Sequence, residues 1–160
     1  MKTTLLLLLS TFSSAIFAQQ VIHITPQQLM DNIRKTEGKS TVIQFWNPNC
    51  KEVSEIVTEY KAAEEGYSKT TDFYFIAITS KDELIVKAIA ENNYKYNLYV
   101  VDASVQPDLY ERRQTFCKQL SKLLKIKEAD FLSLCLDKND KVTYTGDAAY
   151  SDIKKVIPTK

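Results

Sequence analysis

Apolar residues along this chain recur at two spacings, every three to four positions or every second position, and the switches between them mark out the elements. Thr25-Pro26 reads as a helix start, with Thr as cap and Pro in the first turn. Leu29, Met30 and Ile33 then follow at helical spacing until Gly38. Thr41–Trp46 is a strand. From Lys51 to Glu65 the residues Val53, Ile56, Val57 and Tyr60 share one helical face, with Gly66 as the expected stop. Phe73–Ile78 is apolar on both faces, which suits a central parallel strand. Ser80 caps a helix over Asp82–Asn92 that turns Leu84, Ile85, Ala88 and Ile89 inward. Tyr96–Val101 is a further strand, and Leu109–Leu124 is a helix with Leu109, Phe116, Leu120 and Leu123 at threes and fours. Phe131–Leu136, the turn Asp137-Lys138-Asn139-Asp140 and Lys141–Thr145 form a hairpin, followed by a short terminal helix over Ser151–Ile157.

Helices alternating with strands, closed by a hairpin, predict an α/β domain. Its central sheet is mostly parallel with a C-terminal antiparallel hairpin, right-handed crossovers and helices on both faces. Residues 1–18 stand apart from that fold. Lys2 gives a positive start, Leu5–Leu9 begin an apolar stretch, and Ala18 precedes Gln19-Gln20, the layout of a secretory signal peptide too short for a membrane anchor. Cleavage after Ala15 is the second option, because Ile16 is not a small residue. The domain is then 19–160, enough for one core, with a periplasmic or secreted location. Without Lys2, 20 basic residues face 20 acidic ones and no Lys or Arg stripe forms, which argues against nucleic acid and anionic membranes as partners.

Three cysteines are too few for a disulfide framework, and the odd number leaves at least one unpaired within a monomer. Cys50 stands out. It lies where Thr41–Trp46 gives way through Asn47-Pro48-Asn49 to a helix, so the expected setting is the positive end of a helix dipole, where a thiolate is favoured. Lys51 adds to that effect and Glu52 opposes it. Cys117, beside Phe116 and Leu120, and Cys135, between Leu134 and Leu136, read as small buried apolar residues, although a bridge between them or to Cys50 stays open. His23, the only histidine, precedes the first helix, and nothing suggests that it pairs with Cys50. The scattered Cys and His give no metal-ligand spacing, and no cofactor is expected. Glu64-Glu65 and Asp82-Glu83 read as solvated helix-surface or capping acids. The tyrosines in Tyr94–Tyr99 read as an edge or semi-exposed strand, with a stacking patch as the other option.

Val42-Ile43-Gln44-Phe45-Trp46 leading to Cys50, Phe75–Asp82 with its helix, and Leu134-Cys135-Leu136-Asp137-Lys138-Asn139-Asp140-Lys141-Val142 together resemble the thioredoxin-like superfamily. The likeness is greatest to exported TlpA/ResA-type bacterial proteins and covers residues 40–157. It implies thiol–disulfide chemistry on protein thiols or disulfides or on a small thiol. Three departures qualify that. Val53 stands where a dithiol enzyme has its second cysteine, so nothing in the motif resolves a mixed disulfide. The family's cis-proline should fall near Asp130–Leu132, where there is no proline, and a cis bond there would cost about 2.5–4 kcal/mol. Asp140 holds a turn position usually given to Gly, which Asp tolerates. A peroxiredoxin-like site is also excluded, because Ile43 and Asn47 occupy the places of its Pro and Thr/Ser. The expectation is an exported mono-thiol redox protein in which Cys50 is the one candidate reactive residue. Its rival is a catalytically silent thioredoxin-fold module that binds a protein partner.

Overall fold

A computed structural model describes residues 21–148 together with Asp152 and Ile157. The predicted signal peptide, and all of the predicted terminal helix but Asp152 and Ile157, lie outside the described residues. Chain order is β1 (Val21–Ile24), α1 (Pro26–Lys35), β2 (Ser40–Trp46), α2 (Val53–Tyr67), β3 (Thr71–Ala77), α3 (Asp82–Glu91), β4 (Leu98–Val101), α4 (Leu109–Leu124), β5 (Ser133–Leu136) and β6 (Val142–Gly146). The first helix starts as its sequence dictates. Thr25 accepts from the Gln28 backbone N–H while the Gln28 side chain accepts from the Thr25 N–H, a capping box with Pro26 in the first turn. The helix at α2 runs one residue past Gly66 and is capped at Ser68.

The strands form one sheet in the order β1-β4-β3-β2-β5-β6. β1, β4, β3 and β2 run parallel, and β2 pairs antiparallel with β5, which turns into β6. This is the mixed sheet with a terminal hairpin that the residue pattern predicts. Asp137 shapes the hairpin turn by accepting from the Asn139 and Lys141 N–H groups, and Asp140 takes the left-handed conformation at φ 59°. The edge strand β1 was not predicted. It pairs with β4, so the tyrosine-rich stretch, expected as an edge or semi-exposed strand, leads into an interior strand on which Tyr99 is half-buried.

Alternation along β2 divides the core in two. Val42 and Trp46 face α2 and α3 with Tyr60, Phe75 and Ile85, whereas Ile43 and Phe45 face α1 and α4 with Leu29, Phe116 and Leu120. Tyr60 stacks on Phe75 at 3.7 Å and meets Trp46 edge-on at 5.9 Å. Gln44 points to the first of these faces yet is buried. Ser133 Oγ donates to its Oε1 at 2.6 Å, and its Nε2 donates to Ala148 O at 3.2 Å, so the polar atoms are answered at the β2–β5 seam. Glu64 departs from the solvated position expected of it. Four residues beyond Tyr60 on the same helical face, it is 9% exposed. Burial, reinforced by the negative charge of Asp72, pushes its carboxyl up to about 7, with Lys39 pulling the other way.

That burial sets a pH dependence of stability. The folded chain holds the Glu64 proton to higher pH than the unfolded chain does, so stability falls as pH rises from about 4.5 to about 7 and is flat above. The effect is on the order of 2–3 kcal/mol. Denaturant titrations of Glu64→Gln at pH 5 and pH 8 should show the variant gaining stability over wild type at pH 8 and losing most of the slope between the two.

Candidate functional site

The end of β2 is held on both sides before the chain turns. Phe45 N–H donates to Leu132 O at 2.8 Å, and Ile78 N–H donates to Trp46 O at 3.0 Å. Asn47 then organises the turn. Its side-chain oxygen accepts from the Asn49 N–H at 2.9 Å, and its carbonyl accepts from the Cys50 N–H at 3.2 Å. Pro48 is buried beneath. Helix α2 begins only at Val53, with Glu52 as an N-cap whose side chain caps nothing. Cys50 therefore lies in the turn before the helix rather than on its first turn as expected, while Val53 occupies the place of a resolving cysteine.

Cys50 is half-buried and packs with Val53 against the α2–α3 side of the core. Its thiol sits above the ordinary value, contrary to the thiolate favoured by the sequence reading. The largest cause is desolvation, and the Glu52 carboxylate adds to it. The backbone N–H groups of Glu52 and of Cys50 itself pull the other way without prevailing. A dipole acts within the first turn of a helix, and three residues ahead of α2 it is outweighed.

The other two cysteines are buried and free, so neither forms the bridge left open above. Cys117 packs on the α1–α4 face and donates to Phe131 O at 3.5 Å, whereas Cys135 packs on the α2–α3 face. The sheet separates the two. Burial pushes each thiol up to about 12. His23 Nε2 lies 2.7 Å from Asp82 Oδ2 in an exposed pair, which joins β1 to the first turn of α3.

Beside the Cys50 turn lies an open groove of about 430 Å³, walled by Trp46, Asn47 and Asn49 on one side and by Ile78, Tyr110 and Leu132 on the others. Tyr110 is 95% exposed and projects from the start of α4. Leu132 occupies the strand approach where a cis-proline would stand, and no peptide bond among the described residues is cis. Two arginines that the sequence reading did not single out shape this end of the molecule. Arg113 pairs with Asp130 at 2.6 Å and donates to Phe131 O at 2.9 Å, fixing the segment that leads into β5. Arg112 is buried and donates to the carbonyls of Gln106 (2.8 Å), Pro107 (2.9 Å) and Thr79 (3.4 Å), tying the loops after β3 and β4 together. The sequence did carry a signal for Arg112. It lies three residues after Leu109 and four before Phe116, on the face that the apolar spacing turns inward.

No protein-family profile matches the chain, and no curated protein matches its sequence. Solved structures do. The solution structure of a thioredoxin-like protein in the oxidised form shares 13% identity over 84% of this chain and 82% of its own, with a TM-score of 0.50. A thiol:disulfide interchange protein from Bacteroides sp. shares 17% identity over 80% of this chain and 77% of its own, with a TM-score of 0.48. A secreted disulfide oxidoreductase of Mycobacterium tuberculosis shares 12% over 76% and 82%, with a TM-score of 0.49. At such identities the likeness is one of fold. With its strand order, its terminal hairpin and a cysteine after the first long core strand, the chain has the thioredoxin-like fold.

Proposed function

We propose that this chain is an exported thioredoxin-fold protein that exchanges thiol and disulfide through Cys50 alone, on protein disulfides or with a small thiol. The observation that carries this reading is the placement of Cys50, half-exposed at the turn between β2 and α2, with Val53 three positions on. The thiolate of Cys50 attacks one sulfur of a partner disulfide. A Cys50–S–S–R bond forms, the original S–S bond breaks, and its electron pair leaves on the other sulfur, which takes up the proton that Cys50 gave up. No oxidant is consumed.

Both halves of the exchange are slow. A thiol held above its ordinary value presents little thiolate near neutral pH, and the same property makes Cys50 a poor leaving group once the mixed disulfide exists. With no resolving thiol in the motif, release waits for an outside thiol such as glutathione. The result is a holder of thiol partners more than a catalyst of turnover. Export, to the periplasm or beyond the cell, rests on the signal-peptide pattern of residues 1–18, and no helix among the described residues is long and apolar enough to cross a membrane. A second reading drops the chemistry and keeps the groove as a protein-binding surface. The exposure of Tyr110 at its rim favours that reading, since aromatic side chains of this kind anchor interfaces.

Native-state alkylation with iodoacetamide should modify Cys50, leave Cys117 and Cys135 untouched, and accelerate continuously as pH rises through 9. A rate that levels off below pH 7 would show a depressed thiol and overturn the slow-exchange mechanism. In an insulin-reduction assay the wild type should give no turnover, and Val53→Cys should produce it, because the substitution supplies the resolving thiol that the motif lacks. Mixed disulfides recovered from intact cells should disappear in Cys50→Ser. Partner recovery that persists in Cys50→Ser but is lost in Tyr110→Ala decides for the binding-module reading.

A further inference from the structure

At the opposite end of the sheet from Cys50, the parallel strands begin. The last turns of α2, the residues leading into β2, the start of β3 and the approach to β4 enclose a second cavity of about 410 Å³. Its volume falls in the range of small-molecule sites. Its lining is polar and aromatic, and its charges are unevenly matched. Lys39 Nζ donates to Asp72 Oδ1 at 2.9 Å and to Ser68 O at 2.9 Å, so that acid and that base answer each other. The two remaining charged residues of the cavity do not. Glu64 is 9% exposed, lines the cavity, and has no side-chain hydrogen bond among the described residues. Lys95 lines the same cavity and makes no ion pair among the described residues. Tyr96 and Tyr99 follow Lys95 in the chain and line the same cavity.

A buried carboxyl without a partner is costly, and natural interiors answer such groups with a hydrogen-bonding cation, a polar partner or water. Lys39 is already committed to Asp72. Glu64 therefore offers an entering cation a carboxyl that no protein group among the described residues hydrogen-bonds, and Lys95, exposed at the same cavity, offers an anion a partner. Aromatic rings beside the cation add cation–π attraction. The overall charge of the four cavity residues is balanced, so a ligand of no net charge fits it without leaving an excess. We propose that this cavity binds a free α-amino acid as its zwitterion. The ammonium group goes to the Glu64 carboxylate, the ligand carboxylate goes to Lys95, and Tyr96 and Tyr99 flank it. The site is separate from Cys50 and does not depend on the exchange reaction proposed above.

The site also carries a proton linkage. Glu64 is faced by Asp72 from β3, by Lys39 ahead of β2, and by Tyr94, Tyr96 and Tyr99 from the stretch entering β4. Burial, with the charge of Glu64 adding to it, raises all three tyrosine hydroxyls and leaves them neutral. Glu64 itself titrates near 7, so acidification protonates the group that receives the ammonium. Affinity should rise from pH 5.5 to pH 8 and then level off.

The test is a ¹H–¹⁵N NMR titration of the full chain with each of the twenty L-α-amino acids at pH 8. At least one should give saturable shifts at Glu64, Lys95 and Tyr96. Glu64→Gln, close to isosteric, should weaken that ligand about tenfold or more and flatten the pH profile, the effect expected on losing a charge-assisted hydrogen bond. Lys95→Gln, at an exposed position that leaves the fold intact, should weaken the amino acid but not the amine obtained by removing its carboxyl group. Iodoacetamide labelling of Cys50 should be unchanged in both variants. The assignment is overturned if no amino acid gives saturable shifts at millimolar concentration, if the amine binds wild type as tightly as the amino acid, or if both variants bind as wild type does.

Discussion

Strand β2 is the constraint on which the rest of this structure depends. It is hydrogen-bonded along both edges, parallel to β3 and antiparallel to β5, and it is the place where the sheet changes direction. Both of its faces are buried, Val42 and Trp46 against α2 and α3, Ile43 and Phe45 against α1 and α4. A strand fixed on four sides cannot slip by one residue without turning every side chain to the wrong core. The Gln44–Ser133–Ala148 network adds a polar condition to the apolar ones, because an unanswered amide at that depth would be penalised. The position of the Asn47–Glu52 turn, and of Cys50 within it, follows from this registration.

At that turn two electrostatic effects compete, and their sizes decide the chemistry. Backbone N–H groups near the start of α2 favour a thiolate, as they do wherever a cysteine caps a helix. Partial removal from water and the carboxylate of Glu52 favour the thiol, and here they win. In the exchange proposed above, a thiol of this kind without a second cysteine at Val53 suits persistence in a mixed disulfide better than rapid turnover. The neighbouring groove opens at the same end of the molecule. Its loops are held by Arg112, which spends its guanidinium on backbone carbonyls instead of on a carboxylate.

The two ends of the parallel strands thus differ in kind. One carries the turn with Cys50, an apolar groove and an exposed tyrosine. The other carries a polar cavity where one ion pair is complete and one buried carboxyl, Glu64, is not. Opposite ends of a rigid sheet can hold independent functions because few side chains are shared between them.

What the sequence determined by itself is what local periodicity and turn chemistry control. The cap at Thr25, the helices facing inward through Ile56, Ile85 and Phe116, the two-sided strands and the Asp137 turn were all legible, because each depends on residues within a few positions of one another. The sequence also contained the absence of a resolving cysteine at Val53. Tertiary structure decided the rest. β1 is a four-residue strand whose partner, β4, lies far along the chain, so no local pattern announces it. Spacing from Tyr60 puts Glu64 and not Glu65 on the inward face of α2, but only the packing of that helix on the sheet decided that the carboxyl would be buried rather than reach water. Cys117 and Cys135 became unable to bridge once the sheet came between them. The thiol of Cys50 was set by how much water the folded core excludes, and desolvation is a property of three-dimensional neighbours that no spacing of residues encodes.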